Sequence, residues 1–182
     1  MEKNKILLSI VIPTKNRAIY ALDCITSILR IDSNQIEVIV HDNSDNYILK
    51  DKILCLQKDK RLKYFYNSEK LNTIHNFNEC MNFVNGYYTC YIGDDDCVDS
   101  ELINLAKWGE KNNFEAISYK TSTGFSWPGV KKANSGVLKI HPFTSKYKIV
   151  NVEKELNSFL NDGGVYYLDH KLPKVYHGLI KT

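Results

Sequence analysis

The sequence has little of what nucleic-acid-binding or membrane-spanning proteins need. Its charges nearly balance, with 24 Lys and Arg against 21 Asp and Glu among 182 residues, and they form no block of one sign. A nucleic-acid-binding domain usually carries a basic stripe, so we expect no nucleic-acid partner. No apolar run approaches the roughly 20 residues of a membrane-spanning helix. The basic first residues lead into an apolar segment without a small-residue cleavage site, which favours a first strand over a signal peptide.

Cysteine and histidine are few and scattered. The five cysteines are odd in number and contain no CxxC pair, and the five histidines contain no HxxxH pair. These patterns disfavour a zinc site and a disulfide framework, so we expect reduced thiols in a cytoplasmic protein. Glycine-rich phosphate loops are missing too, because neither GxGxxG nor GxxxxGK[ST] follows the first apolar segment. A dinucleotide-binding fingerprint or a P-loop is therefore disfavoured.

The first 120 residues contain a regular alternation of apolar strands and amphipathic helices. Apolar runs predict the strands, and apolar positions at helical spacing predict the helices between them. Predicted strands cover residues 6–12, 36–41, 62–66, 87–92 and 114–119, and predicted helices cover 18–30, 47–58, 73–85 and 100–112. We expect Pro13 to stop the first strand and Gly86 to close the third helix. Such alternation is typical of an α/β fold with a mostly parallel, doubly wound sheet flanked by helices.

Residues 121–182 have a different pattern. Turn-forming residues dominate the first part, short strands are predicted at 137–140, 147–150 and 172–180, and a helix is predicted at 152–160. No clean linker separates this part from the rest. We therefore predict a single domain, with an α/β half at 1–120 and a β-rich C-terminal flap at 121–182.

Polar loops follow the predicted parallel strands, at residues 13–17, 42–46, 67–72 and 94–96. Right-handed crossovers place the carboxyl ends of parallel strands at one edge of a sheet, and ligands bind at that edge. We therefore expect the four loops to line a single cleft. Its charged side chains would be Asp42, Asp94, Asp95, Asp96, Lys15, Arg17 and Lys70.

Three consecutive carboxylates, Asp94, Asp95 and Asp96, are the most unusual feature of these loops. Adjacent carboxylates repel one another, and they are often found where a hard divalent cation binds. A solvated acidic turn is the simpler interpretation, but the position at a strand end favours a metal site. Asp42 also has two interpretations, a ligand-binding side chain or a strand-end Asx turn. A bound cation would let such a cleft accept the diphosphate of a nucleotide.

Five segments of the chain, taken in order, point to one family, and these are residues 9–17, 38–44, 76–81, 86–88 and 92–96. Together they resemble segments of family 2 glycosyltransferases of the GT-A fold. Residues 9–17 resemble the first strand and loop of that family, and residues 38–44 resemble its second strand with a nucleoside-binding Asp. Residues 76–81, 86–88 and 92–96 resemble its helix, glycine and DXD segment. The subtype is similar to bacterial transferases of surface-polysaccharide and O-antigen assembly.

The resemblance implies a nucleotide-sugar donor site. The residues that would contact the donor are Pro13, Thr14, Asn16 and Arg17 at the base pocket, Asp42 at the nucleoside, and Asp94 and Asp95 at the ribose or diphosphate. The triplet would also hold Mg²⁺ or Mn²⁺. Asp96 and Asp94 are the first candidates for metal ligands because the family pattern is D-x-D. Counting back from the following helix points instead to Asp95.

The reaction that the resemblance implies is inverting transfer of a sugar to a hydroxyl of a saccharide or lipid-linked saccharide. The family's catalytic base lies well beyond the DXD segment, and neither Asp162 nor Asp169 sits in a recognisable base motif. We therefore expect the base beyond residue 182, in a longer transferase of which this chain is an N-terminal part. Such an enzyme would be cytoplasmic and could associate with the inner face of the membrane.

Two other classes of protein stay open. A nucleotidyltransferase shares the α/β architecture and the metal, but residues 13–17 lack the glycine that its triphosphate loop normally needs. A non-catalytic metal- or nucleotide-binding module could use Asp94, Asp96 and Asp99, but the glycine and terminal Glu of an EF-hand are missing. Three late aromatic side chains could stack on a sugar, although burial is the more common role, and these are Trp127, Tyr166 and Tyr167.

Overall fold

A computed structural model describes residues 5–118, 123–125, 138–140, 149–161 and 178–182 of the chain. The strands are β1 (Leu8–Thr14), β2 (Ile36–Asp42), β3 (Leu62–Tyr66), β4 (Tyr88–Tyr91), β5 (Ala116–Ile117), β6 (Thr123–Phe125), β7 (Leu138–Ile140) and β8 (Leu179–Lys181). The helices are α1 (Ala18–Leu29), α2 (Ile48–Ile53), α3 (Thr73–Met81), α4 (Glu101–Lys111) and α5 (Val152–Asn161).

The chain divides into two compact units. One comprises Met1–Ile117 with Lys174–Thr182, and the other comprises Ser118–Pro173. The predicted assignment of residues 1–120 to donor binding and of 121–182 to an acceptor-side region stays a prediction.

The first unit is built on a six-stranded sheet with the order β3-β2-β1-β4-β8-β5. Strands β1 to β4 are mutually parallel, whereas β8 runs antiparallel to both β4 and β5. Every residue of β1, β2 and β4 is buried, because helices cover both faces of a sheet of this kind. The predicted mixed α/β fold with a mostly parallel sheet is confirmed.

The order of strands creates a switch point between β1 and β4. The chain runs outward from β1 to β2 and β3, and then returns to the other side of β1 as β4. Helix α3 makes this return, and its Cys80 and Phe77 pack with Val11, Ile39 and Tyr91 of the sheet. Because successive crossovers diverge here, a crevice is expected at the carboxyl ends of β1 and β4.

Strand β1 continues through Pro13, which the sequence predicts to be its end. Val11 accepts a hydrogen bond from Ile92 after β4, whereas Thr14 accepts one from Asn43 after β2. Alternate residues of a strand bond to opposite neighbours, so the missing N–H of Pro13 falls on the β4 side. The β1–β4 pairing ends at Val11, while the β1–β2 pairing extends to Thr14. Proline therefore ends one ladder and leaves the other intact.

Helix α3 ends at Met81, so Gly86 does not close it as the sequence predicts. Gly86 lies instead where the next segment meets β1, and a Cβ there would be 2.5 Å from the backbone nitrogen of Ser9. Its N–H donates to the Ser9 hydroxyl at 2.8 Å. The glycine is needed for close approach between two backbone segments rather than for helix termination.

Helix α2 is also shorter than predicted, and α4 is close to its predicted length. At the start of α4, the Asp99 carboxylate accepts the N–H of Glu101 at 2.8 Å. All five cysteines carry free thiols, as predicted, and Cys55 and Cys97 are exposed.

The second unit contains the antiparallel pair β6–β7 and helix α5. Strand β7 and helix α5 match predicted elements, but Ile149 and Val150 belong to no strand. The positions of Trp127, Asp162, Tyr166, Tyr167 and Asp169 lie outside the described residues. Within the described ranges, every helix is too short or too polar to cross a bilayer.

Candidate functional site

The carboxyl ends of β1 and β4 are joined by side chains. The Thr14 hydroxyl donates to Oδ2 of Asp94 at 2.7 Å. Arg17, which precedes α1, lies across two members of the acidic triplet, with Nε 3.2 Å from Oδ1 of Asp94 and Nη2 2.6 Å from Oδ2 of Asp95. The main-chain ladder between these strands stops at Val11, and these side-chain contacts bridge the crevice beyond it.

Asp94 is a buried carboxylate, with only 6% of its surface exposed. Burial raises its pKa above the usual 3.8, and the Thr14 hydrogen bond and the Arg17 charge offset only part of that effect. A raised pKa means that ionised Asp94 is disfavoured in the folded protein relative to the unfolded chain. A further positive charge at this carboxylate would therefore be favourable.

The other two carboxylates of the triplet are more accessible. Asp95 is exposed, and half-buried Asp96 accepts the N–H of Gly93 at 3.1 Å. Among the residues that the structure describes, no three His, Cys, Asp or Glu side chains are grouped to hold a metal ion. The donor chemistry nevertheless fits a hard divalent cation, since three carboxylates sit in sequence and one of them is poorly solvated.

Asp42 is fully buried at the end of β2. Its Oδ1 accepts the N–H of Ser44 at 2.9 Å, which is the Asx turn considered from the sequence. Its Oδ2 accepts the Tyr64 hydroxyl at 2.7 Å. Burial, followed by the bond to Asp42, raises the pKa of Tyr64. Tyr64 was not predicted as part of this site, although its position on the neighbouring strand offered a signal.

Asn43 connects the loops that follow β1, β2 and β3. Its amide nitrogen donates to the carbonyls of Asn67, at 2.9 Å, and Glu69. Its oxygen accepts the N–H of Leu71 at 3.1 Å and the Lys15 ammonium at 3.2 Å. One side chain thus holds residues 67–71 against the end of β2. The sequence predicted that these loops meet, but not that Asn43 joins them.

Asn16 fixes the loop between β1 and α1. Its φ of 58° lies in the left-handed region, which Asn tolerates better than most residues. Its N–H donates to the Ser44 hydroxyl at 2.8 Å, and its side-chain amide donates to Asp45 at 2.7 Å. The bond from Asn16 holds the pKa of Asp45 below its usual value. The structure therefore brings predicted residues 13–17 beside residues 42–46.

Asn76 is a buried residue of α3 that also reaches this edge. Its amide nitrogen donates to the Thr14 carbonyl at 3.3 Å, and its oxygen lies 2.5 Å from Nδ1 of His41. Asn76 belongs to a segment that carried the family resemblance, but no role was predicted for it. Of the other predicted residues, Pro13 is buried in β1 and Lys70 is exposed. The roles of all these residues toward a ligand stay predictions.

Comparison with proteins of known sequence gives a family. The sequence model of the family described as glycosyl transferase family 2 matches residues 9–164. A GalNAc(5)-diNAcBac-PP-undecaprenol beta-1,3-glucosyltransferase from Campylobacter jejuni is 34% identical over 91 residues, which are 49% of this chain and 29% of that protein. An uncharacterized glycosyltransferase from Rickettsia conorii is 27% identical over 112 residues, which are 61% of this chain and 18% of that protein. The chain thus spans less than a third of these relatives.

Two solved structures have a similar fold. The mannosyltransferase PcManGT from Pyrobaculum calidifontis, solved with GDP-Man and Mn²⁺, has a TM-score of 0.54 and 19% identity over 63% of this chain and 35% of its own. TarS from S. aureus, solved with UDP-GlcNAc, has a TM-score of 0.52 and 18% identity over 69% of this chain and 38% of its own. These likenesses confirm the predicted GT-A fold. Because the family match covers most of the sequence, this chain belongs to glycosyl transferase family 2.

Proposed function

We propose that this chain forms the donor site of a glycosyltransferase. The enzyme moves a sugar from a nucleotide-sugar to a hydroxyl acceptor in the synthesis of a cell-surface polysaccharide. The observation that carries the proposal is the junction of Thr14 and Arg17 with Asp94 and Asp95 at the switch point of the sheet. Ligands of open α/β sheets bind at such points. Family membership supports this function over the nucleotidyltransferase and calcium-module alternatives.

The acidic triplet would hold a divalent cation, Mg²⁺ or Mn²⁺, through Asp94 and Asp96 with Asp95. That ion would supply positive charge to the leaving diphosphate. Support comes from the carboxylate donor set and from the raised pKa of Asp94. The structure of PcManGT with Mn²⁺ and GDP-Man is of a protein with a similar fold.

Arg17 already neutralises part of the charge of the triplet. Its side chain is 44% exposed, so it can move toward an incoming ligand. We assign it to the diphosphate or base of the donor, with Pro13, Thr14 and Asn16 beside it. Asp42 would bind the nucleoside, which requires its bond to Tyr64 or Ser44 to be exchanged or shared.

The acceptor that we propose is a lipid-linked saccharide. The name of the relative from Campylobacter jejuni contains an undecaprenol-linked glycan. A polyprenol is held in a bilayer by its apolar chain, so the enzyme would act at the inner face of the membrane. Transfer would proceed with inversion, using a general base on the acceptor side.

The donor site is tested by thermal unfolding with nucleotides. Unfolding temperatures are measured with UDP, GDP and Mn²⁺, each alone and in combination. We expect one nucleotide to stabilise the protein clearly more with Mn²⁺ than without it, since a ligand that binds only the folded state raises its stability. Asp94→Asn should abolish this shift.

Asp32→Asn is the matched control, because Asp32 is exposed and precedes β2 at the opposite edge of the sheet. This variant should keep the full nucleotide-dependent shift. A shift that survives Asp94→Asn, or the absence of any shift with either nucleotide, would contradict the proposed function.

A further inference from the structure

Thr14 connects β1 to three other parts of the site. Its hydroxyl donates to Asp94. Its carbonyl accepts the N–H of Asn43 at 3.0 Å and the side-chain amide of Asn76 at 3.3 Å. The orientation of Thr14 therefore sets where one oxygen of Asp94 is held.

The Asn76 amide has only one arrangement that satisfies its neighbours. Its nitrogen faces the Thr14 carbonyl, which can only accept. Its oxygen must then accept from Nδ1–H of His41, which lies 2.5 Å away. Asn76 is 6% exposed and His41 is 4% exposed, so water does not compete for these bonds. A single buried amide thus links α3 to both β1 and β2.

This link lies at the end of β1, where the strand is no longer in a main-chain ladder with β4. The ladder between β1 and β4 ends at Val11. Beyond that point, the Thr14 carbonyl is bonded to β2 through Asn43, and the Thr14 hydroxyl is bonded to Asp94. The bond from Asn76 is the second restraint on the Thr14 carbonyl, and it comes from a helix on the return crossover to β4.

We propose that Asn76 is a positioning residue of the donor site, which acts through Thr14 to hold Asp94 in its binding orientation. The proposal rests on the proposed function, because it assigns Asp94 to the donor and its cation. Asn76 itself would not touch the ligand. Loss of its amide should weaken ligand binding, and that effect should disappear when the Thr14 hydroxyl is already absent.

A double-mutant cycle tests this coupling. Affinities for UDP and GDP in the presence of Mn²⁺ are measured by calorimetry for the wild type, Thr14→Val, Asn76→Ala and the double variant. Thr14→Val should weaken the nucleotide that the wild type binds by about tenfold, as expected for loss of a hydrogen bond to a charged group. Thr14→Ser keeps the hydroxyl and should bind within about twofold of the wild type.

The decisive comparison is the effect of Asn76→Ala in the two backgrounds. It should weaken binding by about threefold or more when Thr14 is present, and by less than about twofold in Thr14→Val. Asn76→Ser is used in the same cycle if the alanine variant does not fold. Thr26→Val is the control, because the Thr26 hydroxyl donates within α1 to the carbonyl of Leu22, and its loss should leave affinity unchanged.

Equal losses from Asn76→Ala in both backgrounds, or no loss in either, would overturn the positioning role while leaving the donor site in place. A wild type that binds neither nucleotide with Mn²⁺ is a different result. It would remove the proposed function itself, and the positioning role with it.

Discussion

At the scale of single residues, two buried carboxylates differ in their effect on stability. Burial raises the pKa of Asp94, so the folded protein favours the protonated carboxyl. The stability that this group contributes is fully present below the unfolded pKa of 3.8 and is lost as the pH rises through the folded pKa. Burial also acts to raise the pKa of Glu37, but the bonds from Lys63, Ser9 and the N–H of Asn85 outweigh it and lower the pKa below 4.5. Asp94, which we propose binds the ligand, is the carboxylate whose ionised form is disfavoured by its surroundings, as expected of a functional site.

Glu37→Gln should destabilise the folded protein, because the ionised Glu37 carboxylate stabilises it. The carboxylate accepts Lys63 at 2.6 Å and the N–H of Asn85 at 2.7 Å. Its folded pKa is lowered, so its contribution is present above about pH 4.5 and is lost as the pH falls through the folded pKa. We expect the variant to lose about 2 kcal/mol at pH 7, measured by urea unfolding.

The loss should shrink steadily when the same measurement is repeated below pH 4.5. Glu101→Gln serves as the control, since Glu101 is an exposed residue in the first turn of α4. A loss that is independent of pH would contradict the charged network at Glu37.

At the scale of elements, the close contact at Gly86 joins the segment before β4 to β1. A Cβ at Gly86 would meet backbone atoms, at 2.5 Å from the nitrogen of Ser9 and 2.8 Å from the carbonyl carbon of Leu8. For a Cβ at Gly109 in α4, the nearest atoms outside the helix backbone belong to the side chains of Ile117 and Tyr88. Side chains can shift more readily than two strands can separate.

Gly86→Ala should therefore destabilise the protein by about 2–3 kcal/mol, because overpacking displaces the backbone. Gly109→Ala should cost less, since alanine gains about 1 kcal/mol in a helix interior and offsets part of the clash. Thermal and urea unfolding of the two variants are compared under the same conditions. An equal or smaller loss for Gly86→Ala would mean that β1 and the segment before β4 are not packed as described.

The elements that the sequence predicted well are those with local signals. The apolar runs of β1 to β4 and the helical spacing of α1 and α4 follow from period and burial alone. Pro13 and Gly86 were misjudged because their roles depend on a neighbour. Pro13 is tolerated because its nitrogen, which carries no hydrogen, faces β4 beyond the end of the β1–β4 ladder. Gly86 is needed because a Cβ there would clash with the backbone of Ser9.

The arrangement of the candidate site was also predicted only in part, and its role toward a ligand stays a prediction. The sequence predicts that the Asp triplet and Asp42 lie at the same edge, because the carboxyl ends of parallel strands meet at one edge of a sheet. The partners of these carboxylates were not visible, because Thr14 and Asp94 are 80 residues apart and meet only through the register of β1 and β4. Tyr64, Asn43 and Asn76 were missed for the same reason, since each acts through a contact between different elements.

At the scale of the whole molecule, the first unit has one edge where four loops converge. Hydrogen bonds join the loop after β1 to those after β2 and β4, and Asn43 adds the loop after β3. The opposite edge contains the Glu37–Lys63 pair and the Gly86 contact, which stabilise the sheet. The residues that we propose for donor binding and these stabilising contacts thus lie at opposite ends of the strands, so we expect a donor to affect the first edge and not the second.

Hydrogen exchange with a nucleotide and Mn²⁺ tests this separation most directly. Amide exchange is compared by mass spectrometry with and without UDP or GDP in the presence of Mn²⁺. We expect protection in peptides that cover residues 12–17, 41–45 and 92–97, with little change in residues 30–37 and 84–88. Protection confined to the opposite edge, or spread evenly over the sheet, would contradict a donor site at the ends of β1 and β4.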